Sequence, residues 1–256
     1  MTTKLLIASA ALLSAMSAQA TVSVTSTAFT YSQSFDSLAG SGTANAWAND
    51  STLAGWSLFN GTTALTTYRA GTGTDNAGGV YSFGLAGGER ALGSVASGTV
   101  ANPTLAVAFT NDSGHALSSF TLNFDGEQWR NGGNTTTQKL TVQYGFGTSF
   151  ASVGTWQSAG SAFDVNSLVN AATAAAVNGN VAGKSAGLGG TIATDWAAGS
   201  TLWVRWNDVN DAGADHGLAI DNVSLSVTAA VPEPESYALL LAGLGVVSFV
   251  ARRRRG

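Results

Sequence analysis

Two stretches of the chain gather side chains that could do chemistry. The first reads Trp206-Asn207-Asp208-Val209-Asn210-Asp211-Ala212-Gly213-Ala214-Asp215-His216-Gly217, with Asp221 and Asn222 just beyond it. Asp208, Asp211, Asp215 and Asp221 would raise one another's proton affinity if held together without a counter-charge. Calcium is the natural counter-ion, because it takes roughly six to eight oxygen ligands in an adaptable loop. The candidate ligands are Asp208, Asn210, Asp211, Asp215 and Asp221. Asp208, Asn210 and Gly213 fit the first, third and sixth positions of an EF-hand loop, but Ala212 and Ala219 stand at the fifth and twelfth, which excludes that motif. The same residues also serve as turn formers capping strand ends.

The second stretch is Asn123-Phe124-Asp125-Gly126-Glu127-Gln128-Trp129-Arg130. On a strand, Asn123, Asp125, Glu127 and Trp129 share one face, opposite Phe124. Asp125 and Glu127 beside an aromatic could act as acid and base in a glycosidase, at a separation of about 6–7 Å along a strand. Arg130 next door offers a simpler role for them, an ion pair on a polar outer face closed by a turn. Sugar rings stack on exposed indoles while Asp and Asn bind their hydroxyls, so Asp125, Glu127 and Trp129 also form a candidate glycan-binding surface. Trp203 with Arg205 is a second one. Of the seven tryptophans, four or five are expected to fill the core.

Other chemistries are excluded or weak. The chain has two histidines, His115 and His216, and no cysteine, so thiolate catalysis, disulfides and Cys- or His-rich metal sites are absent. His115 sits in a turn-like Asn-Asp-Ser-Gly-His string. Gly183-Lys184-Ser185-Ala186-Gly187 has the spacing of a nucleophile elbow but lies in a glycine-rich connector, without the strand and helix that motif needs. It is no P-loop either, since Asn178 stands where a glycine is required.

The elements around these residues read as strands. Residues 104–110, 119–124, 139–144, 201–206 and 218–227 alternate apolar and polar or small side chains, the last with a break at Asp221-Asn222. Earlier candidates are 22–35, 55–59, 65–69, 80–83 and 90–95. Nine or ten strands point to an all-β, two-layer antiparallel β-sandwich of jelly-roll type. One segment, 164–177, is alanine-rich, and with Asp164 as N-cap it is expected to form a short helix. Residues 178–190 and 71–79 are expected to be glycine-rich loops.

Both ends carry addresses. Residues 1–20 combine Lys4, an apolar run and Ala18-Gln19-Ala20, the pattern of a secretory signal peptide. Residues 21–229 then form the sandwich domain. Without both ends the chain keeps six cations against thirteen acids, a net charge of about −7. That balance disfavours nucleic acid as a partner. Residues 230–256 hold a motif at 231–236, an uncharged apolar run at 237–251 and Arg252, Arg253, Arg254 and Arg255. As a helix the run would span about 22 Å, short of the roughly 30 Å hydrocarbon core, with the arginines holding its end at the cytoplasmic interface.

This tail, with Pro232-Glu233-Pro234 at its head, closely resembles the PEP-CTERM sorting signal of Gram-negative, biofilm-forming bacteria. The resemblance implies export, transient residence of the tail helix in the inner membrane, and processing by an exosortase. Export machinery and exosortase are therefore the expected partners, and the cell surface or extracellular space the destination. The string from Gly199 through Thr201-Leu202-Trp203-Val204-Arg205-Trp206 to Gly217-Leu218-Ala219-Ile220-Asp221-Asn222 is similar to secreted β-sandwich domains found upstream of such tails. The expected function is a non-enzymatic surface or matrix protein associating with exopolysaccharide. The alternative is a secreted polysaccharide hydrolase using Asp125 and Glu127.

Overall fold

Alternating side chains make strands whose two faces meet different environments, and here that alternation builds two stacked sheets. The computed structural model describes residues 21–229 and, apart from them, Arg253. The signal peptide expected at 1–20, the Pro-Glu-Pro motif and the helix expected at 237–251 lie outside the described residues. In chain order the first strands are β1 (Val22–Val24), β2 (Thr30–Gln33), β3 (Asn45–Ala46), β4 (Trp56–Asn60), β5 (Thr63–Ala64) and β6 (Thr67–Gly71). They are followed by β7 (Gly79–Phe83), β8 (Ala91–Val95), β9 (Pro103–Asn111), β10 (Leu117–Asn131) and β11 (Lys139–Phe146). The remainder are β12 (Gln157–Ser158), β13 (Val165–Asn166), β14 (Ala175–Ala176), β15 (Lys184–Trp196), β16 (Thr201–Asn207) and β17 (Gly217–Ala229). Ten of these strands have five residues or more, in line with the nine or ten expected.

An eight-stranded sheet runs β12-β11-β16-β9-β4-β5, with β1 beside β9 and β13 beside β11. A nine-stranded sheet runs β14-β10-β17-β8-β7-β6-β3, with β15 beside β10 and β2 beside β17. All pairs are antiparallel except β1 with β9 and β6 with β7. The all-β two-layer sandwich is therefore the fold, and its core lies between the sheets. Leu105, Val107 and Phe109 of β9 and Leu202, Val204 and Trp206 of β16 face Phe120, Leu122 and Phe124 of β10. Trp206 stacks on Trp56 within its own sheet and meets the edge of Phe124 from the other, at 5.6 and 5.4 Å between ring centroids. Each large side chain withdrawn from water in this way contributes about 1.5–3 kcal/mol.

Two expectations fail. Residues 164–177 form no α-helix: a 3-10 turn at Ser161–Phe163 leads into β13, a turn-rich stretch and β14. Alanine favours helix locally, but a short helix is stable only with a face to bury, and Ala171, Ala172, Ala174, Ala175 and Ala176 are all exposed. The backbone groups are taken instead by β10 side chains. Gln128 Oε1 accepts from the N–H groups of Leu168 and Val169, and Asn131 Nδ2 donates to the carbonyls of Ala171 and Thr173. Asp164 is no N-cap: its backbone N–H closes the 3-10 turn at Ser161–Phe163, and its carboxylate pairs with Lys139 at 2.8 Å. The glycine-rich connector is likewise strand from Lys184 onward, paired along β10.

The third difference is one of length. β10 does not stop at Phe124 but continues through the Asp125–Arg130 stretch to Asn131. Gly126 makes that path open, because a Cβ there would lie 2.8 Å from both Leu188 and Val165.

Candidate functional site

On β10 the core-facing series Phe120, Leu122 and Phe124 sends Asp125, Glu127 and Trp129 to the outer face of the nine-stranded sheet. β17 changes phase along its length. Leu218 and Ile220 point into the core, and so do Val223, Leu225 and Val227, so one residue is interpolated between the two series. The pairing with β10 slips at that place, between Asn123 and Asp125, and Asn222 takes φ +50°. Asparagine tolerates this left-handed conformation better than most residues. Asp221 continues the outward series of Ala219, directly opposite Asp125. The bulge adds Asn222 beside it, whose amide donates to Asp125, and returns Val223 to the core.

Glu89, from the turn between β7 and β8, completes the group. One oxygen from each of Glu89, Glu127 and Asp221 lies within 4.8 Å of the others. Glu127 is 0% and Asp221 1% exposed. Trp129 Nε1 donates to Glu127 Oε2 at 2.7 Å, and Asn180 Nδ2 donates to Glu89 Oε2 at 2.6 Å. Among the described residues, Glu89 Oε1, Glu127 Oε1 and Asp221 Oδ1 are buried with no hydrogen-bond partner.

Asp125 sits beside this trio in a different state. Its carboxylate pairs with Lys184 Nζ at 2.9 Å and accepts from Gly187 N–H and Asn222 Nδ2. Burial pushes its proton affinity up, but Lys184 and these donors outweigh it and hold the carboxyl below the usual range. Glu127 is raised to about 7, first by burial and then by Glu89, against the Trp129 bond that lowers it. Asp221 is also raised to about 7, by burial and by Glu127 and Glu89. Adjacent acids on one face therefore hold their protons very differently.

Several of the residues singled out from the sequence are placed otherwise than expected. Trp129 offers no exposed indole: it is 0% exposed, parallel to Phe83 at 6.2 Å in a second cluster with Tyr81, Ala91, Val95 and Ala219. Gly179 lies so close over its indole that any side chain there would collide. Arg130 pairs with neither acid; its guanidinium donates to the carbonyls of Gly73 and Thr74. Lys184, assigned to a loop from the sequence, takes the ion-pair role instead. Trp203 is buried, and Arg205 lies over Trp156 with its guanidinium carbon 4.0 Å from the ring centroid. Six tryptophans are buried rather than four or five, and only Trp156 is partly open.

The 208–215 segment does not bring its carboxylates together as a cluster of three. Asp208 is buried and accepts from Ser94 Oγ at 2.7 Å, and burial raises its carboxyl to about 7. Asp215 Oδ1 accepts from the Asp211 N–H, while Asn210 and Asp211 are exposed. Asp221, on β17, lies beside Glu127 of β10, and among the described residues the only group of three acids with converging oxygens is this pair with Glu89. His216 is buried, its Nδ1 accepting from Gly132 N–H, whereas His115 is exposed in its turn. Glu89, Asn180 and Lys184 had no local signal, since each joins the site from a distant part of the chain. The break at Asp221-Asn222 was the one trace of the bulge.

With the geometry in place, the tail decides the assignment that can be made. Residues 230–255 match the PEP-CTERM protein-sorting motif. The chain is thus marked for export, transient membrane anchoring and exosortase processing. No curated protein matches the chain. Among solved structures, the CBM22-1 xylan-binding domain of Paenibacillus barcinonensis Xyn10C aligns over 80% of this chain and 99% of its own, at 12% identity and TM-score 0.42. The CBM28 module specific for non-crystalline cellulose aligns over 72% and 94%, at 16% identity and TM-score 0.32. The K2 cleaved adhesin domain of Lys-gingipain aligns over 78% and 98%, at 15% identity and TM-score 0.34. At these identities and scores the likenesses assign no ligand to this chain. Among the described residues, no helix is long and apolar enough to cross a membrane.

Proposed function

We propose that the protein is an exported, exosortase-processed β-sandwich of the cell surface or extracellular matrix that associates with exopolysaccharide without cleaving it. The observation that carries this reading is the contrast on the outer face of the nine-stranded sheet. Asp125, Glu127 and Asp221 are enclosed or paired, while the surface beyond them is a lattice of hydroxyls. Thr30, Ser226, Thr121 and Thr191 stand in register across β2, β17, β10 and β15, and Ser32 and Ser224 pair in the next row. Such a surface offers donors and acceptors to a neutral polymer without charge to repel it. Six buried tryptophans supply no stacking platform, so hydroxyls and amides would hold the glycan, weakly at each site and along many repeats.

A hydrolase using Asp125 and Glu127 keeps one observation in its favour. The two carboxyls have proton affinities driven apart, the pattern that separates acid from base in glycosidases. Against it, Glu127 is sealed under Trp129 and Asp125 is engaged by Lys184. One experiment separates the readings: the exported protein is tested for retention on the source organism's extracellular polysaccharide and for turnover of a glycan library. Retention without turnover, weakened by Ser226→Glu, is the expected result. Turnover that disappears in Glu127→Gln would replace the proposal with the hydrolase.

A further inference from the structure

Glu89, Glu127 and Asp221 come from three separate elements, yet their oxygens meet within 4.8 Å. That arrangement does not arise as a surface accident, because Glu127 and Asp221 are fully buried and the pairing of β10 with β17 sets them on one face. Each acid keeps one buried oxygen without a partner, and one oxygen of each lies within 4.8 Å of the others. The remaining oxygens of Glu127 and Glu89 are fixed by Trp129 and Asn180, the kind of outer bond that orients a metal ligand. Lys184, the cation beside them, is bound to Asp125. Arg90, next to Glu89, is turned away and donates to Ser82. Three carboxylates so close, out of water and without a committed counter-charge, are held together only by taking up protons or a cation.

We propose that Glu89, Glu127 and Asp221 bind a hard divalent cation, with calcium the best fit. All donors are carboxylate oxygens, with no imidazole or thiolate to favour zinc or copper. The ion would tie β10, β17 and the β7–β8 turn together and lock the outer face beneath the hydroxyl lattice. This site is separate from the 208–215 segment and does not depend on glycan binding.

Terbium, an oxygen-seeking stand-in for calcium, tests the site on the exported protein, because the Trp129 indole bonded to Glu127 would sensitise its emission. The expected result is saturable tryptophan-sensitised emission, displaced by excess calcium, and a thermal midpoint that rises by several degrees in calcium. Glu127→Gln and Asp221→Asn should each weaken terbium binding at least tenfold, and Asp211→Asn should leave it unchanged. If a buried substitution prevents folding, as judged by circular dichroism, Glu89→Gln at the half-buried turn serves in its place with the same expected loss. Absent emission, emission that persists in a folded Glu127→Gln or Glu89→Gln variant, or emission lost in Asp211→Asn would each overturn the proposal.

Discussion

The 208–215 segment and the outer face of β10 and β17 are both rich in acids, and they behave in opposite ways. In the segment the acids are dense along the chain but their carboxylates do not converge: Asp208 turns inward to Ser94, Asp215 accepts from the Asp211 N–H, and Asp211 faces water. On the sheet face they are sparse along the chain and dense in space, because strand pairing sets Asp221 opposite Asp125 and the β7–β8 turn delivers Glu89. Local density mostly makes turns. Spatial density, created by tertiary pairing, is what makes a site.

The largest expected effect comes from moving a sheet-face acid to the other side of its strand. Ile220→Asp places a carboxylate on the core-facing series of β17, one residue from Asp221. An uncompensated buried charge costs more than about 3 kcal/mol, so cooperative unfolding followed by circular dichroism should be lost or its midpoint sharply lowered. Unchanged stability would mean that Ile220 does not face the core.

An intermediate effect is expected at Asp208, the one segment acid that is buried. Its carboxyl is raised to about 7 in the folded state, chiefly by burial, against about 4 in the unfolded chain. Between those values the folded state binds more protons than the unfolded one. Stability therefore falls as pH rises from about 4 to 7 and is flat above. Asp208→Asn, which can still accept from Ser94, should remove this slope and stabilise at pH 8 by up to about 4 kcal/mol, with little difference near pH 4. Denaturant unfolding at the two pH values measures it, and an equal gain at both would show that the charge is not what burial penalises. The smallest effect is expected at exposed Asp211: Asp211→Asn should shift stability by less than about 0.5 kcal/mol. A larger loss would erase the contrast between the regions.

Much of the sandwich was legible in the chain, and the reasons differ by element. The cores of β9 and β16 could be read because one face of each is apolar along its length, as in Leu105, Val107, Phe109 and Leu202, Val204, Trp206. β10 was read short, because Asp125-Gly126 has turn composition while its extension is decided by what packs over Gly126. The alanine-rich segment misled for a related reason, since helix propensity acts locally and the backbone partners Gln128 and Asn131 are distant in sequence. Of the site, Asp125, Glu127 and Trp129 were correctly placed on one face. Their environment was not legible: burial of Trp129 depends on Gly179, and the partner of Asp125 is Lys184 rather than adjacent Arg130.

By itself the sequence determined the strand pattern, the exclusion of cysteine and clustered-histidine chemistry, and the Pro-Glu-Pro address at 230–255, which is matched as a sorting motif. Each is a property of neighbouring residues: periodicity, composition or a short linear motif. Only the tertiary structure decided that Glu89, Glu127 and Asp221 share one buried spot with three unpartnered oxygens. That meeting depends on which strands pair and on the register in which they do so. Both are settled by burying apolar surface between the sheets, not by any local preference of the acids themselves.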